Sequence, residues 1–316
     1  MNRRQFVLST MAASLASAAQ KLPANKNVQW AVSAALWNHF AKVPFTDILD
    51  VMRDTGFVGV RMTQFPQILK TYDMTEAQLE KELSKRNLHI ATISFNGPAQ
   101  DPGRAAKVLA DAKIAMEFLK RFGADRLVVF SPPRVPAGQD VDAAFKTMCE
   151  TYNHIGELAG TMGFKAGLHN HLNQMCESQA EIDKCLAMTD PKLFYFSPDT
   201  AHLQLAGCNV VENVKKYKNR LMLLDYKDAK WTTPAADLAL TNGKTYAKDS
   251  KDAKFFNSIY DLGDGDVDFP GCHRVLKEIN YKGWICVDLD AARKGPRASY
   301  ERSGEYVVGK LEPIYK

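Results

Sequence analysis

Two histidines close the segment Lys165-Ala166-Gly167-Leu168-His169-Asn170-His171, which reads as a short buried strand. Side chains alternate along a strand, so His169 and His171 leave one face and Asn170 the other. Three later segments end in a similar way: Ser197-Pro198-Asp199-Thr200-Ala201-His202, Asp225-Tyr226-Lys227-Asp228 and Asp288-Leu289-Asp290. Each apolar run that precedes them can hold a polar group rigidly at its C-terminal end. His169, Asp199, Asp225 and Asp288 together offer one imidazole and three carboxylates. That donor set suits a hard divalent cation: Mn²⁺, Mg²⁺ or Co²⁺ first, with Zn²⁺ also compatible. Such an ion polarises a carbonyl or hydroxyl oxygen while a neighbouring carbon loses its proton.

Other groups complete the expected site. His171 shares the face of His169 and titrates near neutral pH, which makes it a candidate general acid or base. His202 is placed to contact a substrate hydroxyl or carbonyl, and Lys227 to hold a substrate oxygen or support the ligands. Trp37, Phe65 and Trp231 are candidates for the aromatic wall of the site. Two alternatives stay open from sequence. Asp290 lies on the face of Asp288 and competes with it as a ligand, and Asp225 pairs equally well with Lys227 as a structural ion pair. His39, His89, His154 and His273 have no visible partner and read as structural or surface residues.

The elements that must position these groups follow from periodicity. Past residue 27, apolar runs at Val28–Ser33, Phe57–Met62, His89–Ser94, Arg126–Phe130, Lys165–His169, Leu193–Phe196, Leu221–Leu224 and Trp284–Val287 alternate with amphipathic stretches. One stretch opens with the capping pattern Thr75-Glu76-Ala77-Gln78. Glycines at 56, 123, 163 and 283 read as left-handed ends of the preceding helices. Eight strand–helix repeats without a glycine-rich phosphate turn after the first strand predict a single (β/α)8 TIM barrel over residues 28–316. The long polar stretch Lys230–Lys254 would lie at the active-site end, where long loops act as lids or substrate contacts.

Residues 1–19 carry Arg3-Arg4-Gln5-Phe6-Val7, an Ala-rich apolar run and the small-residue site Ala16-Ser17-Ala18. They resemble a twin-arginine export signal, with residues 20–27 as a linker and a periplasmic or secreted destination. The formal charge of +5 is small and scattered, which excludes nucleic acid as the expected partner, and no apolar run predicts a stable membrane anchor. The six cysteines form no C-x-x-C pair; Cys176 and Cys185 are the pair a disulfide would join in an oxidising compartment. A homo-oligomer is compatible with the sequence.

Taken in order, His169-Asn170-His171, Asp199-Thr200-Ala201-His202, Arg220 leading into Tyr226-Lys227-Asp228, Leu262-Gly263-Asp264-Gly265-Asp266-Val267-Asp268-Phe269 and Tyr281-Lys282-Gly283-Trp284 resemble the sugar phosphate isomerase/epimerase superfamily, the xylose-isomerase-like TIM barrels. The resemblance spans roughly residues 28–312 and implies metal binding at the strand ends and a small-molecule carbohydrate as the partner. Family members usually carry Glu, Asp, His and Glu on strands five to eight, where this chain has His169, Asp199, Asp225 and Asp288. The donor inventory survives, but both glutamates that usually serve as the acid/base pair are absent. Members that dehydrate inososes share the His-rich fifth strand. The resemblance therefore implies first a metal-dependent isomerase or epimerase working through an enediolate. A lyase or hydrolase eliminating from a keto sugar or glycoside comes second, and a non-catalytic sugar-binding barrel third.

Overall fold

The computed structural model describes Leu22 and residues 27–315. The export-signal expectation for residues 1–19 lies outside the described residues, as does all of the 20–27 linker except Leu22 and Asn27. Eight parallel strands form one sheet: β1 (Val28–Ser33), β2 (Gly59–Met62), β3 (His89–Phe95), β4 (Arg126–Phe130), β5 (Lys165–His169), β6 (Phe194–Phe196), β7 (Leu224–Tyr226) and β8 (Gly283–Val287). Their order runs from β6 back through β1 to β8 and β7. Single bridges, Phe196 to Leu221 and Asp199 to Asp225, close β6 onto β7. The predicted barrel is present. Because this seam is made of isolated bridges, the seventh strand begins at Leu224 rather than at the predicted Leu221.

The covering helices are α1 (Phe45–Asp54), α2 (Glu76–Arg86), α3 (Ala105–Arg121), α4 (Val141–Met162), α5 (Gln179–Met188), α6 (Val210–Lys216), α7 (Phe269–Glu278) and α8 (Pro296–Tyr306). Their apolar stripes face the sheet; on α1 the buried positions are Phe45, Ile48, Leu49 and Met52, the helical spacing of a core face. The Thr75–Gln78 capping box forms in both directions at the start of α2. The glycine reading needs one correction: before β8 the left-handed residue is Asn280 (φ 52°), and Gly283 opens the strand itself. Among the described residues no helix is long and apolar enough to cross a membrane. Cys176 and Cys185 are buried free thiols, as are Cys149, Cys272 and Cys286.

Two features of the loops position the site. The stretch after β7 carries a short antiparallel ladder, Leu238–Ala239 with Thr245–Tyr246, and a helix at Lys251–Asn257. It reaches across to the loop after β1, where Asn242 Nδ2 donates to the Asn38 carbonyl (2.9 Å) and Ala41 N–H to Thr241 Oγ1 (3.2 Å). The glycine-rich segment 262–269 wraps the Asp228 carboxylate, which accepts N–H groups from Gly263 (2.8 Å), Gly265 (2.9 Å), Val267 (3.1 Å) and Ala229 (2.9 Å). A Cβ at Gly265 would lie 2.3 Å from Asp228 Oδ1, so only glycine fits that approach. Asp228→Ala would orphan three loop donors, of which that of Val267 is buried. We expect it to cost about 3 kcal/mol or more in chemical denaturation; a loss below about 1 kcal/mol would show that the loop is held by other contacts.

Candidate active site

The C-terminal strand ends bring His169, Asp199, Asp225, Lys227 and Asp288 into one buried cluster. Asn170, on the opposite face of the β5 end, is the clamp for its neighbour. Its Oδ1 accepts the Asp199 N–H (3.0 Å) and its Nδ2 donates to the Asp199 carbonyl (3.3 Å). Thr200 ties the next seam: its hydroxyl donates to the Lys227 carbonyl (2.8 Å) and accepts the Lys227 N–H (3.0 Å). Asp199 Oδ1 caps the short helix Thr200–Leu205 by accepting Ala201 N–H (3.0 Å) and His202 N–H (3.1 Å). That cap fixes His202 over the cluster and leaves Asp199 Oδ2 facing inward.

Two cations run through the carboxylates. Arg61, in the middle of β2 and 1% exposed, places its guanidinium 2.6 Å from Asp225 Oδ1 and 3.4 Å from Asp288 Oδ2, while Nε donates to Ser94 Oγ (3.1 Å). Lys227 Nζ lies 3.0 Å from Asp199 Oδ2 and 2.7 Å from Oδ2 of both Asp288 and Asp290. The pairing left open for Asp225 is thus answered by geometry. Lys227 pairs with Asp199, Asp288 and Asp290, and Asp225 pairs with Arg61. Four aspartates against one guanidinium and one ammonium leave a formal excess of two negative charges, which a divalent ion would neutralise.

His169 Nε2 is 3.7 Å from Asp199 Oδ2, and Nδ1 is 3.0 Å from Asp225 Oδ2. Neither contact is aligned as a hydrogen bond. Both nitrogens of His169, Asp225 Oδ2 and Asp288 Oδ1 are buried without a hydrogen bond, and Asp199 Oδ2 and Asp225 Oδ1 are met by the ion pairs to Lys227 and Arg61. Buried polar atoms are rarely left so, and this concentration marks a place built for a ligand. Donor atoms of His169, Asp199 and His202 lie within 4.8 Å of one another. The 3.7 Å gap is too long for a hydrogen bond but fits two ligand atoms each about 2.1 Å from a shared ion. The residues therefore fit a divalent ion. Asp225 and Asp288, also expected as ligands, are each engaged by Arg61.

Burial and charge set the protonation states. Burial pushes Asp225 up to about 6 against the pull of Arg61, and raises Asp199 against that of Lys227. At Asp288 burial resists ionisation, but Lys227 and Arg61 overcome it and hold the carboxyl below its ordinary range. Burial takes His169, His171 and His202 below the ordinary imidazole value, with nearby cations adding to it, so all three are neutral at neutral pH. Lys227 stays charged because Asp199, Asp288 and Asp290 outweigh its burial.

The mouth is aromatic. Phe255 stacks on His202 (5.5 Å, 4° between planes), and Phe256 packs on His39 (4.6 Å). His39, read from sequence as structural or surface, is lowered by burial and feels Asp290 and Lys227, which places it at the rim. Trp231 is 51% exposed, with Nε1 bonded to the Leu205 carbonyl beyond His202 and Lys254 over its ring. Trp37 Nε1 donates to Tyr300 Oη (3.0 Å). The ring contact of Phe65 is with Phe118 (4.5 Å), on α3, rather than with the cluster. Arg61 is the residue that sequence reading missed, and its signal was a charge inside an apolar strand, which burial permits only with a partner.

Comparisons with known proteins agree with this architecture. The xylose isomerase-like TIM barrel family matches residues 49–307. The chain is 30% identical over 227 residues to an inosose dehydratase of Bacillus licheniformis, covering 68% of this chain and 72% of that protein. It is 26% identical over 311 residues to an inosose dehydratase of Clostridium perfringens, covering 90% and 98%. Among solved structures, the IolI protein with a bound zinc atom superposes with a TM-score of 0.70 at 14% identity, over 91% of this chain and 99% of that one. A probable 3-DHS dehydratase from Bacillus anthracis gives 0.69 at 13% identity, over 89% and 98%.

Proposed function

The chain belongs to the xylose isomerase-like TIM barrel family, and from that premise we propose that it is a divalent-metal-dependent lyase that removes water from a polyhydroxylated ketone, a keto sugar or an inosose. His169 and Asp199 would hold the ion, whose chemistry is to polarise the ketone and stabilise the enolate. The names of the sequence relatives favour elimination over the isomerisation expected first. The observation that carries the reading is the state of the acid/base groups. A 1,1-proton transfer wants a base on each face of the carbon, yet Asp225, Asp288 and Asp290 are ion-paired and neither family glutamate is present. One uncommitted base remains, His171, half-buried beside the cluster.

His171 takes the proton from the carbon next to the ketone and returns it to the hydroxyl leaving from the following carbon. Lys227 holds a substrate oxygen at the floor, and Phe255 and Trp231 cover the ring. Export in the folded state, read from Arg3-Arg4 and Ala16-Ser17-Ala18, belongs to the same proposal. It favours a free rather than a phosphorylated substrate.

The test is to incubate the metal-loaded protein with an inosose and follow mass. A product lighter by one water is expected; an isomer of unchanged mass would restore the epimerase reading. His171→Gln is expected to lower kcat by roughly 10²–10⁴-fold. Because burial lowers the His171 pKa, the wild-type acid limb of kcat/KM should have its midpoint below 6.5 and be flat through neutrality. An acid limb above 7 would exclude His171 as the base.

A further inference from the structure

The ladder between β5 and β6 changes character just where the site begins. Its last regular rung runs from the Ser197 N–H to the Leu168 carbonyl (2.8 Å). In a parallel pair the next rung on that side would join the Asp199 N–H to the main-chain carbonyl of Asn170. The Asn170 side chain stands there instead. A primary amide carries the acceptor and donor of a peptide unit, and this one meets both main-chain groups of Asp199. Its Oδ1 accepts the N–H (3.0 Å) and its Nδ2 donates to the carbonyl (3.3 Å). The Leu172 N–H, which the Asp199 carbonyl would otherwise meet, is directed at the His202 ring (3.4 Å). Asn170 and Asp199 are fully buried, so water cannot replace either bond. On the other side of the β6 tip, the Pro198 carbonyl accepts the Asp225 N–H (2.9 Å).

That amide fixes a distance. Asn170 follows His169 directly in the chain, so one side chain ties the main chains of both candidate ligands together. The Asp199 carboxylate is held separately, because Oδ1 accepts the N–H groups of Ala201 and His202. With main chain and Oδ1 both fixed, Oδ2 has one position, 3.7 Å from His169 Nε2. We infer that Asn170 is a positioning residue whose side-chain amide sets the spacing of His169 and Asp199, and through it the affinity of the site for a divalent ion. The inference rests on the metal reading of the cluster. It gives the middle residue of His169-Asn170-His171 a task different from that of either neighbour, exerted on the main chain of a ligand rather than on its carboxylate. An apolar side chain of similar size would fill the same space and leave both main-chain groups of Asp199 unpaired.

The test needs no substrate. Metal-free full-length wild type and Asn170→Leu are titrated with Co²⁺ alone, reading the dissociation constant by calorimetry and the visible ligand-field band, which reports ligand geometry. Asn170→Leu is expected to raise the dissociation constant by roughly 10–100-fold, the usual cost of losing a group that orients a metal ligand. Its band at saturation should differ from that of the wild type. Thr151→Val serves as the control for lost stability alone. It removes a buried hydroxyl on α4 that donates to the Ala99 carbonyl (3.0 Å), and it should keep the wild-type affinity and band. If Asn170→Leu does not fold, Asn170→Ser, which also removes the amide, carries the same comparison. An unchanged affinity and band in the folded Asn170 variant would overturn the inference while leaving the metal reading standing. Equal weakening in Thr151→Val would overturn it too. A wild-type chain that takes up no Co²⁺ would instead sink the metal reading, and this inference with it.

Discussion

Asp199→Asn is expected to abolish divalent-ion binding and to lower turnover of the keto substrate by about 10³-fold. An ion acting as a Lewis acid supplies several kcal/mol of transition-state stabilisation, and each 1.36 kcal/mol is a factor of ten in rate. The substitution is chosen to spare the fold. Oδ1 caps the helix of His202 through Ala201 and His202 N–H, and an asparagine keeps that oxygen. What it removes is the charge on Oδ2, the inward atom 3.7 Å from His169 Nε2 and 3.0 Å from Lys227 Nζ, which keeps Asp288 and Asp290 as partners. Metal content, turnover and unfolding should be measured on the same preparation. Loss of ion and activity with stability held within about 1 kcal/mol is the expected pattern. An Asp199→Asn protein that still holds stoichiometric metal would show that the ion binds elsewhere.

Arg61→Met is expected to destabilise the protein by about 3–5 kcal/mol, the cost of removing one partner of a buried ion pair. Arg61 is the only guanidinium contacting Asp225 and Asp288 among the described residues, and its removal leaves Asp225 buried without a cation. Lys227 still serves Asp288. The loss has a pH signature. Asp225 already has its folded pKa raised by burial to about 6, above its unfolded value near 3.8. A raised carboxylate penalises the fold above its folded pKa and not below its unfolded one. Because Arg61 holds the Asp225 carboxyl down, its removal raises that pKa above 6, and the Arg61→Met deficit should shrink as pH falls from above neutrality towards about 6. Adding Asp225→Asn should recover part of it at pH 7. A pH-independent deficit, or none, would mean that the cluster is not held by this pair.

Much of this was legible in the residues. The barrel followed from eight apolar runs, each short enough to be a buried parallel strand and each followed by a helix with a core face. The strand ends announced His169, Asp199, Asp225, Lys227 and Asp288 because a polar group after an apolar run has one place to go. What sequence could not give was the pairing among them. Two cations and four carboxylates can be matched in several ways, and only the barrel's curvature brings Arg61 from within β2 across to Asp225 and Asp288. Asn170 and Asp228 were passed over for a related reason. Their partners are backbone groups of Asp199, Gly263, Gly265 and Val267, and main-chain partners leave no residue type to read. His39 was hidden by distance, since its neighbour Phe256 lies far along the chain in the stretch that crosses the barrel mouth.

The central claim is that a divalent ion at His169 and Asp199 works beside His171 to eliminate water. Its most direct test is a crystal structure with a divalent ion and an unreactive keto polyol, with the ion located by anomalous scattering. The account predicts one ion within coordination distance of His169 Nε2 and Asp199 Oδ2, contacting the ketone oxygen, with His171 on the adjacent carbon and Arg61 still paired with Asp225. An ion bound to Asp225 and Asp288 with Arg61 displaced, or no ion in the cluster, would contradict it.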